Sequence, residues 1–316
     1  MKPTLLLLFF LQVFFAFAQN DTVYFSNEVY PTSILKEAKY YSLNPIEEAG
    51  EMTLIDVKNN TKFLTYKYEK PIQQTFLKRN GEATYFYSNG NVQKKGTFKD
   101  GAKVGEWEEF YESSKLKEII KYDSKMITQG FNQTHLFDYK ILEYWDNLGN
   151  KSVENGEGLY FYRDSLIVLT VNLKKGIPDG NCKGTYRNNK FIEQYKKGEL
   201  VNGEISVGNE SIKYDKIIEL PSYNGGIPAM YNFIATNLKF PVSAQKANKE
   251  GKVYIKFAIE IDNSMSDISV IKGFWYDCDK EAFRVINLMN GNWQSGRVRG
   301  IKEKQWFTMP VSFILE

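Results

Sequence analysis

Histidine and cysteine are nearly absent. The 316 residues contain one histidine, His135, and two cysteines, Cys182 and Cys278. A zinc site built on histidine needs several ligands at fixed spacing, and His135 has no cysteine or carboxylate set around it. A Ser-His-Asp arrangement is equally unsupported. Neither cysteine lies in a CxxC pair or another context that would activate its thiol. The chain also lacks G-x-x-x-x-G-K-[ST], and no G-x-G-x-x-G follows a strand pattern, so nucleotide phosphates find no cradle. It lacks charge of one sign as well. Lys and Arg total 41 against 38 Asp and Glu, a net charge of +3, and with no dense basic run there is no electrostatic case for a nucleic-acid partner. The carboxylate pairs Asp277/Asp279 and Glu108/Glu109 read as a helix N-cap and a solvated strand face. These absences point to a binding protein: no enzyme, no catalytic residues, no cofactor and no metal.

Only one long apolar run is present. Lys2 precedes an uncharged stretch in which Leu5 to Phe17 is the apolar block and Ala16-Phe17-Ala18 a small-x-small cleavage site. A membrane span needs about 20 apolar residues, and this run is shorter. A signal peptide over 1–18, cleaved near Ala18, is therefore expected ahead of an inner-membrane anchor, and the mature protein is expected to be exported and periplasmic. Export places Cys182 and Cys278 in an oxidising compartment. Their separation in sequence gives no connectivity, so two unrelated thiols or one bridge both stay open.

What is plentiful is aromatic and β-forming sequence. Aromatic residues make up 15% of the chain, enough with the aliphatic content for one or two packed domains. Residues 19–80 read as a β-rich entry segment, with Asn59-Asn60 and Asn80-Gly81 as turn residues between strands. Over 81–207 the chain repeats itself. Gly81, Gly105, Gly156 and Gly180 are each followed six positions later by a tyrosine: Tyr87, Tyr111, Tyr162 and Tyr186. The glycines step by 24, 51 and 24, then 23 to Gly203, and the double step implies a degenerate repeat over Gly130 to Tyr144. Each unit reads as a β-hairpin stabilised by its neighbours, with the tyrosines packed internally. A carbohydrate-binding face is the other reading of the aromatics. Residues 208–220 read as a connector.

Residues 221–316 carry a different pattern. A helix is expected from about Pro228 to Leu238, ended by Phe240-Pro241. Val253, Ile255, Phe257, Ile259 and Ile261 alternate with Tyr254, Lys256, Ala258 and Glu260, and with the turn Asp262-Asn263-Ser264 this predicts a hairpin over 251–273. Ala282, Val285, Ile286 and Met289 mark a second helix, with Asp277 or Asp279 as N-cap. In the last strand Phe307, Met309, Val311, Phe313 and Leu315 share one face, and Pro310, which cannot donate to a central ladder, argues for a sheet edge. The fold class expected is α+β: a β-rich hairpin-repeat array, then a small α/β domain of helix, β-hairpin, helix and edge strand.

Several ordered blocks of this last region resemble the C-terminal domain of the TonB family. They are Pro221 to Gly226, Lys239-Phe240-Pro241 with Ala244, Gly251 to Phe257, Glu281 to Ile286, Trp293, and Met309 to Phe313. The G-E-x-x-x-F-Y units upstream resemble the MORN repeat and the related antitoxin-like repeat. The first resemblance implies a periplasmic domain whose relatives add a peptide from an outer-membrane receptor to a sheet edge, and the second implies an interaction scaffold. The partner is then expected to be a TonB-dependent outer-membrane receptor or other envelope protein, bound by strand addition and linked to transmembrane transport. Gln305, Trp306, Phe307, Thr308, Pro310 and Ser312 form the expected docking strand. Arg297 and Arg299, with Lys302 and Lys304, place positive charge beside it or form a solvated loop. Exchange of the last strand also offers a route to a homodimer. The connector at 208–220 lacks the long Pro-rich spacer of TonB energy transducers. The alternative is therefore an envelope scaffold that does not transduce energy, whose array binds protein or glycan partners.

Overall fold

The structure, a computed structural model, describes residues 23–25, 38–43, 47, 49–69, 77–122 and 136–315. The expected signal segment, His135 and the start of the Gly130–Tyr144 repeat lie outside these residues. The chain divides into two compact units. One holds residues up to Gly130 with Phe137–Phe161 and Val171–Asp179; the other holds Phe131–Leu136, Tyr162–Thr170 and Gly180–Glu316. No helix among the described residues is long and apolar enough to cross a membrane.

The first unit is built of short antiparallel strands. It opens with β1 (Val23–Phe25), β2 (Tyr40–Ser42), β3 (Ala49–Asp56) and β4 (Lys62–Glu69). The repeats follow as β5 (Lys78–Phe86), β6 (Val92–Lys99), β7 (Ala102–Phe110) and β8 (Leu116–Tyr122). After these come β9 (Lys140–Trp145), β10 (Lys151–Glu154) and β11 (Glu157–Arg163). Each strand pairs with the next in chain order, as in Glu82↔Thr97 between β5 and β6 and Trp107↔Ile120 between β7 and β8. Side chains alternate between faces, so one face collects the core: Leu54, Leu64, Tyr66, Tyr85, Trp107, Ile120, Ile141 and Tyr160 are buried. Trp107 is at its centre, edge-on to Phe98 at 5.1 Å and to Tyr122 at 6.2 Å between ring centroids. Asn80-Gly81, expected as a turn, instead lies inside β5. Gly81 has φ 107° and sits between Tyr66↔Ala83 and Tyr68↔Arg79, where the register shifts. Asn-Gly here serves a β-bulge, which uses the same left-handed freedom as a turn.

Of the recurring tyrosines Tyr186 is buried, but Tyr87, Tyr111 and Tyr162 are only partly so, which corrects for these three the expectation that they pack internally. Tyr87 and Tyr111 sit where their strands enter the hairpin turn. The Tyr87 hydroxyl donates to the Phe110 carbonyl at 2.8 Å, and the Tyr111 hydroxyl to the Trp145 carbonyl at 2.8 Å. Each tyrosine thus staples its hairpin to the next. At the following turn Asp146 takes the corresponding place, and its Oδ1 accepts the N–H groups of Leu148, Gly149 and Asn150 within its own turn.

The division between the units cuts through β11, β12 (Ile167–Lys174) and β13 (Ile177–Tyr186). In the second unit, β13, β14 (Asn189–Lys196), β15 (Glu199–Val207) and β16 (Glu210–Tyr214) pair in chain order. Residues 208–220, expected as a connector, contribute β16 and then β17 (Ile218–Glu219). Then come β18 (Ser222–Tyr223), α1 (Gly226–Asn237), α2 (Val242–Lys246), β19 (Gly251–Ile259), β20 (Met265–Lys272) and α3 (Tyr276–Asn287). The chain ends with β21 (Trp293–Gln294), β22 (Arg297–Val298), β23 (Ile301–Lys302) and β24 (Gln305–Phe313). The principal sheet here is ordered β20-β19-β24, and β17-β22-β23 and β18-β21 form two small ones.

The helices cover one face of β20-β19-β24, and between them lie the buried Val253, Ile255, Phe257, Ile259, Ala282, Val285, Ile286, Met289, Trp293, Val311 and Phe313. Ile261 does not continue this set. It lies past the end of β19 and is exposed. The expected N-cap is also revised: Trp275 caps α3 without a side-chain bond, and Asp277 and Asp279 lie in its first turn. There they favour the positive end of the helix dipole, and Asp279 Oδ1 accepts the Phe274 N–H at 3.2 Å. Cys278 is inside this core and Cys182 faces the buried side of β13; both are free thiols.

If the tyrosine staples hold the array, Tyr87→Phe and Tyr111→Phe each remove one hydrogen bond and lower stability by about 0.5–1.5 kcal/mol. Tyr162→Phe is the comparison, because its hydroxyl donates to Asp164, two residues on. Urea denaturation of the three variants checks the contrast, and equal midpoints throughout would contradict the staple.

Candidate functional site

The strand singled out in sequence, β24, is the last strand of its sheet. It pairs with β19 from Gly251↔Phe313 to Ile259↔Gln305 with no shift of register, and among the described residues no strand lies on its other side. Pro310 stands opposite Tyr254. A proline leaves a ladder intact only where its nitrogen points away from the neighbouring strand. Trp306, Thr308, Pro310 and Ser312 form one period-two set with it, so their backbone groups are the ones directed to the open edge. Trp306, Thr308 and Ser312 keep an N–H there, and Pro310 leaves a gap between Thr308 and Ser312.

The side chains divide the same way. Trp306, Thr308, Pro310 and Ser312 are exposed, whereas Met309, Val311 and Phe313 are buried. Phe307 belongs to the core face, stacked on Phe257 at 5.8 Å and near Trp293 at 5.4 Å. The Gln305 amide donates to the Glu219 carbonyl at 3.0 Å. Gln305 and Phe307 are thus engaged internally and offer a partner only their neighbours' backbone. Trp306 is flanked by two lysines, with Lys256 Nζ 4.4 Å and Lys304 Nζ 5.2 Å from its ring centroid.

The basic residues expected beside this strand are placed differently from the sequence reading. Arg299 is 4% exposed, and its Nε lies 2.9 Å from Glu193 Oε1 on β14. The cause is the turn between β22 and β23, where Arg299 and Gly300 both have positive φ, 50° and 76°, and which directs the guanidinium inward. Arg299 is therefore withdrawn from the docking set. Arg297 Nη1 donates to the Gly300 carbonyl of the same turn at 2.7 Å. Lys304 clamps the start of β24, with Nζ 2.7 Å from both Glu260 Oε1 and Asp267 Oδ2.

The sheet has a second open edge, β20, and it is built unlike the first. Its register with β19 shifts twice, Asp267 has φ 52°, and both Asp267 and Lys272 are charged. Bulges and charges of this kind protect an edge from pairing. From Gln305 to Leu315 the chain carries no charge at all. Of the two edges, β24 is the straight and uncharged one. Sequence reasoning found it through Pro310; it missed the bulges of β20, for which period two alone gives no signal.

The hydrogen bonds from Lys304 hold the Glu260 and Asp267 carboxyls below their ordinary ranges, against the opposing effect of desolvation. A depressed folded pKa contributes stability that is present above the unfolded value and lost as pH falls through the folded one. Acidification below about pH 4 should therefore loosen the start of β24, and Lys304→Ala should produce the same loosening at pH 7. Amide exchange at Gln305 to Phe307 is the measurement, and equal protection in Lys304→Ala and wild type would contradict it.

The family model for the Gram-negative bacterial TonB protein C-terminal region matches residues 236–315. The model for a MORN repeat variant matches 79–100 and 103–124. Among solved structures, the solution structure of the Helicobacter pylori TonB C-terminal domain is similar over 28% of this chain and 78% of that one, with 22% identity and a TM-score of 0.22. No curated protein matches. The chain thus carries MORN-type repeats followed by a TonB-type C-terminal segment.

Proposed function

We propose that this is a periplasmic envelope protein that docks an extended segment of a partner against β24 by strand addition, the partner being a TonB-dependent outer-membrane receptor or another envelope protein. The observation that carries the reading is the edge itself. Over Gln305–Phe313 it is unbulged, uncharged and unpaired, in the segment that matches the TonB C-terminal model. The open backbone groups of Trp306, Thr308 and Ser312, with the carbonyl of Pro310, each contribute about 0.5–1.5 kcal/mol net when bonded. A short peptide then binds modestly and reversibly. Exposed Trp306, beside Lys256, supplies side-chain contact that fixes its register.

A second reading gives the binding role to the repeats. Along β13–β16 is a hollow of about 800 Å³ whose lining includes Asn181, Lys183, Ile192, Gln194, Asn202 and Lys213 together with Cys182, Glu193 and Tyr214. That concavity favours a scaffold for protein or glycan partners. Thr308→Pro, which removes an edge donor, and Ile192→Arg, which fills the hollow, separate the two surfaces.

The direct test titrates the full chain with peptides from the N-terminal segments of outer-membrane receptors and follows backbone amide shifts. Shifts should concentrate in Gln305–Leu315. Pro310→Ala restores the missing donor and should strengthen binding by about 0.5–1.5 kcal/mol, while Thr308→Pro weakens it by a similar amount. Shifts that avoid this strand at millimolar peptide rule out strand addition here.

A further inference from the structure

The last array strands and the C-terminal domain belong to one compact unit, and two contacts join them. The first is the buried pair of Glu193 on β14 and Arg299 in the β22–β23 turn, whose side chains are 0% and 5% exposed. Glu193 also accepts the Tyr195 hydroxyl at 2.9 Å and the Tyr214 hydroxyl at 2.7 Å, and the guanidinium lies over the Phe191 ring at 4.7 Å. The Arg299 N–H donates to the Ile217 carbonyl at 2.7 Å. At Gly300 an added Cβ would come within 2.7 Å of Ile212 Cγ2 on β16, so the turn lies directly against the array.

The second contact is Glu303, which is 9% exposed. It accepts the Tyr186 hydroxyl at 2.9 Å and pairs with Arg187 at 2.8 Å. Tyr186 is the recurring tyrosine of the unit that begins at Gly180. In the earlier units Tyr87 and Tyr111 give this hydroxyl to the next hairpin. Here it goes to the C-terminal domain. A stacked array needs a terminal element to satisfy and cover its last repeat, and the segment 297–303 supplies those contacts.

We propose that the segment 297–303 is the terminal cap of the repeat array, and that Arg299 and Glu303 are positioning residues that tie β24, which begins two residues later, to β13–β16. The edge is then presented by the array and is not carried on an independently tethered domain. The capping role goes beyond the docking reading; the positioning role rests on it.

The test is hydrogen exchange on the full chain. Glu193→Met leaves the guanidinium buried without its carboxylate, whereas the double variant Glu193→Met/Arg299→Met removes both charges and leaves an apolar contact. In Glu193→Met, exchange should rise at least tenfold in Asn189–Tyr195 and in Ile301–Thr308 together, with β5–β8 unchanged as the internal reference. The double variant should recover most of the protection on both sides. A rise on one side only, no rise on either, or no recovery in the double variant overturns the proposal. A parallel titration with an outer-membrane receptor N-terminal peptide keeps the two readings apart. If wild type shows no shifts in Gln305–Leu315, the docking reading fails while exchange still decides the cap. If wild type binds and Glu193→Met binds equally well, the positioning role fails and docking stands.

Discussion

A β-strand brings with it a backbone donor and acceptor at nearly every residue, and each must find a partner or face water. In this chain that requirement is met strand by strand, since each repeat hairpin bonds to the next and β19 is paired on both sides. The unpaired groups that remain are at the edges, and the edges are treated differently. β20 is bulged and charged, while β24 stays straight and neutral with a proline as its only interruption. The two strands also pack differently: β24 buries Met309, Val311 and Phe313, whereas in β20 only Met265 is buried. The difference extends to what each leaves open to solvent.

Much of the C-terminal domain was legible because its signals are local. Val253, Ile255, Phe257 and Ile259 alternate within one strand, and Pro310 excludes a central position by its own chemistry. The repeat period was equally plain, but the role of its tyrosines was not. Period and residue type reveal that Tyr87 and Tyr111 recur; only the positions of the Phe110 and Trp145 carbonyls reveal that their hydroxyls bond along the array. Asn80-Gly81 misled for a related reason, since a bulge and a hairpin turn ask for the same positive φ.

Arg299 was beyond the reach of the sequence. A charged residue between short polar segments ordinarily belongs to a solvated loop, and its carboxylate partner, Glu193, lies in a separate module by any reading of composition or period. Burial of the pair is costly unless its members are held by other contacts; here Tyr195 and Tyr214 bond Glu193 and the guanidinium lies over Phe191, while its Nε, 2.9 Å from the carboxylate, is not aligned for a hydrogen bond. The connector expected at 208–220 failed on the same ground: its polar residues close the array as β16 and enter the small sheet with β22 as β17.

Pro310 has a mechanical consequence. Hydrogen bonds of an antiparallel or parallel neighbour lie across the strand, so tension along β24 would shear them together, whereas tension across it would peel them one at a time. The gap at Pro310 divides the edge into two short clasps, one at Trp306 and Thr308 and one at Ser312. Under shear the clasps share the load. Under peeling the second holds by itself once the first has opened, so a partner seated here would resist a pull in one direction and release in the other.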